Sequence, residues 1–122
     1  MSENSGPERS AEPIFHYTTA GDWERSLTAG EHRISGRGMT LQDQGFIHFC
    51  YAAQKSGVWQ RFWATETEPV VLLTVDQARL PTPIVDENTT GGTELFPHLY
   101  GPLPAGAVIS AAQVDRSGEP GR

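Results

Sequence analysis

The feature that most constrains this fold is one nearly continuous apolar run, VVLLTV, at residues 70–75. Its six residues fall far short of the roughly 20 that a membrane-crossing helix requires. A short run of valine and leucine without polar alternation is typical of a strand that is covered on both faces. The sequence therefore predicts that residues 70–75 form the centre of a sheet.

Shorter aromatic and branched segments occur on both sides of this run, in a chain whose 122 residues suffice for one core. Two helices are predicted in the first half, one after Thr19 as N-cap and one over residues 51–65, where aromatic residues recur at offsets of three and four. Together these signals predict an α+β fold with a sheet of five or six short strands. The other predicted strands are residues 14–18, 46–50, 94–100 and 107–114, with residues 31–34 and 83–85 as further candidates. Residues 35–45 are predicted to form a surface loop.

The two ends of the chain differ from the middle. Residues 1–12 and 113–122 are rich in serine, glutamate, glycine and proline, so both are predicted to be disordered tails around a single domain at residues 13–112. The net charge is −6, and the predicted domain keeps ten acidic against six basic residues. This balance lacks the electrostatic footprint of a duplex nucleic-acid binder.

The N-terminus has neither the basic start nor the apolar core of a secretory signal. The single cysteine cannot form an internal disulfide, which agrees with a reducing compartment. We therefore expect a cytoplasmic protein whose partner is a small molecule and which binds neither a membrane nor duplex nucleic acid. The sequence leaves the oligomeric state open.

Three of the four histidines lie inside apolar segments: His16, His48 and His98. A histidine that faces a core must satisfy two ring nitrogens, which makes it a costly replacement for leucine or valine. Each one alone is explained by a bond to a backbone carbonyl. Three in separate predicted strands indicate a shared site, because imidazole titrates near neutral pH. His32, in the polar stretch GEHR, is predicted to be an exposed bystander.

Other residues offer weaker signals. Cys50 lies about 6.5 Å along the strand from His48, so it is predicted to be a small buried hydrophobe, with a Cys–His nucleophile as the alternative. Glu94 follows a Gly-Gly loop and is the preferred catalytic or orienting acid. Arg33 and Arg37 could clamp a phosphate or carboxylate, or remain solvated. The chain lacks metal-ligand spacings and Gly-rich phosphate motifs, so no metal, dehydrogenase or kinase site is predicted.

Several segments, taken in order, resemble one family of short bacterial and plant proteins, the domain of unknown function 952. The resemblance covers nearly all of residues 14–110 and is carried by IFHYTT (14–19), Asp22-Trp23, GFIHFC (45–50), LLTVD (72–76) and ELFPHLYGPLP (94–104). That family is grouped by fold with the ADP-ribosyltransferase superfamily. The resemblance therefore implies a split, mostly antiparallel sheet, with NAD bound in a cleft between its two halves.

The resemblance also implies roles for individual residues. In that superfamily a histidine on the first strand contacts the NAD ribose, and His16 matches its place. A later strand flanks the nicotinamide, and His48 corresponds to it, where many relatives have tyrosine or serine. The third position, usually a glutamate that holds the ribose 2′-hydroxyl, has Glu94 and His98 as candidates.

Three functions follow as hypotheses. The first is an enzyme that acts on NAD or an ADP-ribosylated substrate, with NAD as substrate and no firm cofactor. The second is a histidine acid/base enzyme that catalyses hydrolysis, elimination or cyclisation of another small molecule in a bacterial biosynthetic pathway. The third is a ligand-binding module without catalysis. The candidate catalytic residues are His48, His98 and Glu94, and the candidate substrate-binding residues are His16, Tyr17, Thr18, Arg33, Arg37 and Tyr100.

Overall fold

The computed structural model describes residues 12–120, and every named strand pair within them is antiparallel. The fold is mixed α+β, with many short strands and few helices. The strands are β1 (Ile14–Thr19), β2 (Glu31–His32), β3 (Ile34–Gly36), β4 (Met39–Thr40), β5 (Ile47–His48), β6 (Val70–Val75), β7 (Val85–Glu87), β8 (Phe96–Leu99), β9 (Leu103–Pro104) and β10 (Val108–Gln113). The α-helices are α1 (Ala20–Ala29), α2 (Leu41–Gln44) and α3 (Lys55–Val58), accompanied by 3-10 turns at Ala52–Gln54, Gln77–Arg79 and Ala105–Ala107 and a π-helical turn at Trp59–Trp63.

Strand β6 is the centre of a three-stranded sheet, which confirms the prediction for the apolar run. It pairs with β1 on one side and β10 on the other. Its side chains alternate between two cores: Leu73 packs with Trp23 of α1 in the first core, whereas Leu72 packs with Trp59 and Trp63 in the second core. Both faces of the strand are therefore covered, as continuous apolar sequence requires.

A second three-stranded sheet, in the order β5-β8-β7, meets the first at one point. Phe15 of β1 and Cys50 exchange two backbone hydrogen bonds of 2.8 Å each. Only two residues of the predicted strand 46–50 therefore pair regularly with β8, because Cys50 has already turned to β1. This short segment joins the two sheets.

Helix α1 begins where the sequence predicted. Thr19 Oγ1 accepts a hydrogen bond from the backbone N–H of Asp22 at 3.1 Å, and Gly30 ends the helix with a φ of 86°. The helical stretch over residues 51–65 is a composite of 3-10, α and π turns with Trp59 and Trp63 buried. Among residues 12–120, no helix combines the length and apolar character that crossing a bilayer requires.

Two predictions about secondary structure were wrong. The sheet of five or six strands is replaced by ten strand segments in the described part of the chain, four of which have only two residues. Residues 35–45 contain β4 and α2 instead of a plain loop. There Thr40 and Asp43 form a reciprocal capping box, and Gly45 ends the turn with a φ of 87°.

The C-terminal segment also differs from its prediction as a disordered tail from residue 113. Strand β10 continues to Gln113, and residues 114–120 pack back on the second core. The Trp59 indole N–H donates to the Arg116 carbonyl at 3.0 Å, and the Tyr17 hydroxyl donates to the Gly118 carbonyl at 2.8 Å. The predicted tail at residues 1–12 lies outside the described residues, apart from Glu12, as do residues 121–122.

Candidate functional site

A cavity of about 540 Å³ opens where the two sheets meet. Strands β1, β5, β7 and β8 and the π-helical turn contribute to its walls. Its volume lies in the range of pockets that hold small molecules. The aromatic walls are Phe15, Tyr17, Phe49, Phe62, Trp63 and Phe96, and the polar wall includes His16, Arg37, His48, Glu87, Asn88 and His98.

His98 forms a carboxylate–histidine pair with Glu87 across adjacent strands. His98 Nδ1 lies 2.9 Å from Glu87 Oε2, and the Tyr100 hydroxyl donates to the same oxygen. These hydrogen bonds, from Tyr100 first and then His98, hold the Glu87 pKa below its usual value. An ionised carboxylate accepts only, so His98 carries a proton on Nδ1, and a neutral His98 ring presents the lone pair of Nε2. Phe46 stacks on the His98 ring at 4.1 Å.

His48 lies directly opposite His98 in the pairing of β5 with β8. The two ring centroids are 5.1 Å apart with the rings nearly perpendicular, and His48 Nε2 is 3.3 Å from Gln44 Oε1. Burial, followed by the proximity of His98, lowers the His48 pKa to about 4. At neutral pH the site therefore presents an uncharged His48 imidazole beside His98.

His16 is more deeply buried than His48, and both of its ring nitrogens are engaged in contacts. Nδ1 is 2.6 Å from the His48 carbonyl oxygen, and Nε2 is 3.1 Å from Nε2 of His32. Burial and the neighbouring His32 lower the His16 pKa to about 3. The ring contributes to the cavity wall, but neither nitrogen is free to bond a substrate hydroxyl.

The prediction that His32 is an exposed bystander was wrong. Its side chain is completely buried, Nδ1 is 2.6 Å from Ser26 Oγ, and burial lowers its pKa to about 4. The polar neighbours in GEHR gave no sign of this. The burial comes from the pairing of β2 with β9, which sets His32 opposite Leu103, and no local pattern encodes that pairing.

The structure places Glu94 away from the histidines. Its carboxylate accepts from the Gln54 side-chain amide at 3.1 Å and lies 3.8 Å from Arg61, outside the residues that line the cavity. The acid at the histidines is Glu87, which sequence analysis missed. The available signal was a carboxylate two residues after the predicted strand 83–85, but only the pairing of β7 with β8 brings it to His98.

The predicted substrate-binding residues divide between the cavity and other places. Tyr17 lines the cavity, although its hydroxyl is used by the C-terminal segment. Thr18 is fully buried, and its Oγ1 has no hydrogen-bond partner among the described residues. Tyr100 is half exposed, and its hydroxyl donates a hydrogen bond to Glu87. Arg33 forms an ion pair with Glu31 outside the cavity.

Arg37 is the one predicted arginine at the cavity wall. Its guanidinium bonds Glu66 at 2.9 Å and the Phe62 carbonyl and Thr65 hydroxyl at 3.0 Å each. These bonds tie the turn between β3 and β4 to the helical stretch. Much of its donor capacity is therefore engaged within the protein.

Cys50 also lies at the wall, but its thiol is not activated. Burial raises the Cys50 pKa to about 12, against a small opposing effect of Lys55. A protonated thiol is a poor nucleophile, so this geometry gives no support to the Cys–His alternative. Within residues 12–120, no three histidine, cysteine or acidic side chains are grouped to hold a metal ion.

Fold and site together define a class of small α+β proteins in which two antiparallel sheets meet over a histidine-lined cavity. The family model described as "Protein of unknown function (DUF952)" matches residues 17–111, well over half of the chain. The chain belongs to this family, as the resemblance in its motifs indicated.

Solved structures of protein CC0527 from Caulobacter crescentus are similar to this fold. The crystal structure is 26% identical with a TM-score of 0.72, and the match covers 89% of this chain and 93% of that one. The solution NMR structure is 25% identical with a TM-score of 0.68, and the match covers 88% and 90%. None of the curated proteins matches this chain.

Proposed function

We propose that this protein is an acid/base enzyme that binds a small molecule in the cavity between its two three-stranded sheets. The observation that carries this proposal is the pairing of Glu87 with His98 at the cavity wall. A carboxylate on Nδ1 fixes the imidazole tautomer and stabilises the imidazolium that forms when Nε2 takes a proton. His98 is the proton-transfer residue and Glu87 orients it.

His48 complements this pair. Its uncharged ring stands against the edge of His98, where it can donate or accept a hydrogen bond to the bound molecule. The aromatic walls lower the local dielectric constant around a bound molecule, which strengthens each charge interaction there. Since the Cys50 thiol stays protonated, His98 acts on a water molecule or on a proton of the substrate. Hydrolysis, elimination and ring closure all require such a transfer.

A second candidate is an enzyme on NAD or an ADP-ribosylated substrate, in an ADP-ribosyltransferase-like fold. It is favoured by the position of the cavity between two three-stranded sheets and by aromatic walls suited to a flat ring. In this version His48 lies against the departing base. Glu87 and His98 take the role considered for Glu94 and stabilise the developing positive charge.

Hydrolysis of p-nitrophenyl acetate, a generic probe of histidine catalysis, tests the first proposal. We expect His98→Gln and Glu87→Gln to lower the rate by at least about tenfold, within the range of lost acid/base catalysis. Glu94→Gln is the matched control, because it removes the same charge outside the cavity. Equal rates in all variants, or a loss confined to Glu94→Gln, would contradict the assignment.

Imidazole NMR signals followed during separate titrations with NAD and ADP-ribose test the second candidate. Saturable shifts of His48 and His98, together with cleavage of the glycosidic bond, would support it. Saturation with no product from either ligand, and no esterase activity above that of the His98→Gln variant, would instead indicate a binding module. No shift with either ligand would exclude the nucleotide and leave the ester probe to decide.

A further inference from the structure

A continuous chain of side-chain contacts runs through the first core to the candidate site. It begins at Ser26 on α1, passes through His32 and His16, and ends at the backbone carbonyl of His48. The successive distances are 2.6 Å, 3.1 Å and 2.6 Å. The side chains of Ser26, His32 and His16 are at most 6% exposed, so water does not compete for these bonds.

The direction of the chain follows from its last member. A carbonyl oxygen only accepts, so His16 donates through Nδ1–H and, in a neutral ring, presents a lone pair at Nε2. His32 must then donate through Nε2–H, which leaves its Nδ1 to accept from the Ser26 hydroxyl. Burial lowers the pKa of both histidines, which agrees with two neutral rings.

Ser26 has a second acceptor in reach, the Asp22 carbonyl at 3.0 Å, but only one hydroxyl proton. If that proton went to Asp22, His32 would have to carry its proton on Nδ1. Two lone pairs would then face each other between His32 and His16. The neutral chain therefore has one consistent assignment, from Ser26 toward His48.

A chain that ends on a carbonyl cannot pass a proton onward, so its role is positional. We propose that His32 and Ser26 are positioning residues for the candidate active site, holding His16 on the His48 carbonyl and thereby holding the His48 imidazole against His98. The proposal rests on the proposed function, since it gives His48 a place in the reaction. His48 and His98 are directly paired in β5 and β8, so a shift of the His48 backbone also moves its ring against His98.

If these positions only had to fill the core, apolar side chains would do so with a smaller desolvation penalty. Burying a polar side chain is unfavourable unless every donor and acceptor is satisfied. Here three polar side chains are satisfied by one another, among aromatic neighbours such as Trp23 and Phe49. The chain therefore carries a high desolvation cost for a purely structural element, and its last contact is with His48 of the candidate site.

The test uses long-range imidazole ¹H–¹⁵N spectra and the ester probe on the intact protein. At neutral pH we expect His16 as the Nδ1–H tautomer and His32 as the Nε2–H tautomer. Ser26→Ala should shift the His48 ring signals and lower kcat by roughly tenfold, with KM nearly unchanged. Thr28→Ala is the matched control, because it removes a hydroxyl whose one bond within residues 12–120 goes to the Glu24 carbonyl, four residues earlier on the same helix.

A second pair of variants separates positioning from packing. His32→Leu should lower kcat at least as much as Ser26→Ala, whereas His32→Gln, whose amide supplies one donor and one acceptor, should recover most of it. An Nδ1–H tautomer at His32, or His48 signals in Ser26→Ala identical to those of the wild type, would overturn the proposal. If no variant, including the wild type, hydrolyses the probe, the proposed function fails, whereas the His48 signals still decide the positioning.

Discussion

Lowering the pH from 7 to 5 should destabilise the protein through His16 and His32. Burial lowers their pKa values from 6.5 to about 3 and about 4. Between these values and 6.5 the unfolded chain binds a proton at each residue and the folded chain does not. The contribution of these two neutral histidines to stability is therefore fully present above the unfolded pKa and is lost as the pH falls toward the folded pKa.

The magnitude follows from the pKa values. A pH of 5 lies about 1.5 units below the pKa of an unfolded histidine, and one unit corresponds to about 1.36 kcal/mol. Each of the two histidines therefore lowers the free energy of unfolding by about 2 kcal/mol. Together they lower it by about 4 kcal/mol, whereas the whole free energy of unfolding is typically about 5–15 kcal/mol. His48 adds a smaller amount, because it is only half-buried and solvent screens its charge.

The carboxylates act in a separate pH range. The pKa values of Glu66, Glu87 and Asp115 are lowered by their hydrogen bonds from 4.5 for glutamate and 3.8 for aspartate. These groups contribute stability above the unfolded pKa and lose it only as the pH falls through the lowered values. A loss of stability between pH 7 and 5 therefore reports the buried histidines.

The assay is urea unfolding followed by the fluorescence of the three buried tryptophans, at pH 7, 6 and 5. His32→Gln removes one titrating group and keeps a donor and an acceptor, so it should roughly halve the dependence of the unfolding free energy on pH. Thr28→Ala should leave that dependence unchanged. A wild-type stability that stays constant between pH 7 and 5 would refute the reasoning, and so would an unaltered dependence in His32→Gln.

Three further outcomes are expected. Gly118→Ala should lower the unfolding free energy by about 2 kcal/mol, because its Cβ would lie 2.5 Å from the Trp59 ring at a φ of 82°. Thermal unfolding checks this, with Gly106→Ala as the unchanged control, because a Cβ there meets no atom of residues 12–120 within 4 Å. Cys50 should resist iodoacetamide at pH 8 in the native state and react in urea, and rapid native labelling would contradict its raised pKa. Thr19→Ala should cost about 1 kcal/mol in urea unfolding through the lost helix cap, and no change would show that the cap contributes nothing.

Sequence patterns predicted the parts of this fold that depend on local chemistry. The apolar run encodes the central strand, because a strand that is covered on both faces needs apolar residues at successive positions. Thr19 and Gly30 encode the ends of α1 through side-chain capping and a positive φ. The three histidines in apolar segments pointed to one place, and the structure brings His16, His48 and His98 to the same cavity wall.

The residues that sequence analysis missed depend on pairings between distant segments. Glu87 reaches His98 only through the register of β7 with β8, and nothing near Glu87 specifies that register. His32 is buried because β2 pairs with β9, against the polarity of its own neighbours. The Gly-Gly loop before Glu94 and the predicted strand 94–100 favour this residue, but the strand begins at Phe96 and leaves the Glu94 carboxylate exposed.

Residues 47–50 explain why the cavity, the histidine chain and the Glu87–His98 pair occur together. The segment bonds β8 through Ile47 and His48, then turns and bonds β1 through Cys50. The cavity lies beside this change of partner, with His48, Phe49 and Cys50 in its lining. The same change of partner directs the His48 carbonyl toward His16 and its ring toward His98. A backbone shift in this segment would therefore disturb both contacts at once, which makes the buried chain through His32 a constraint on the site as well as on the core.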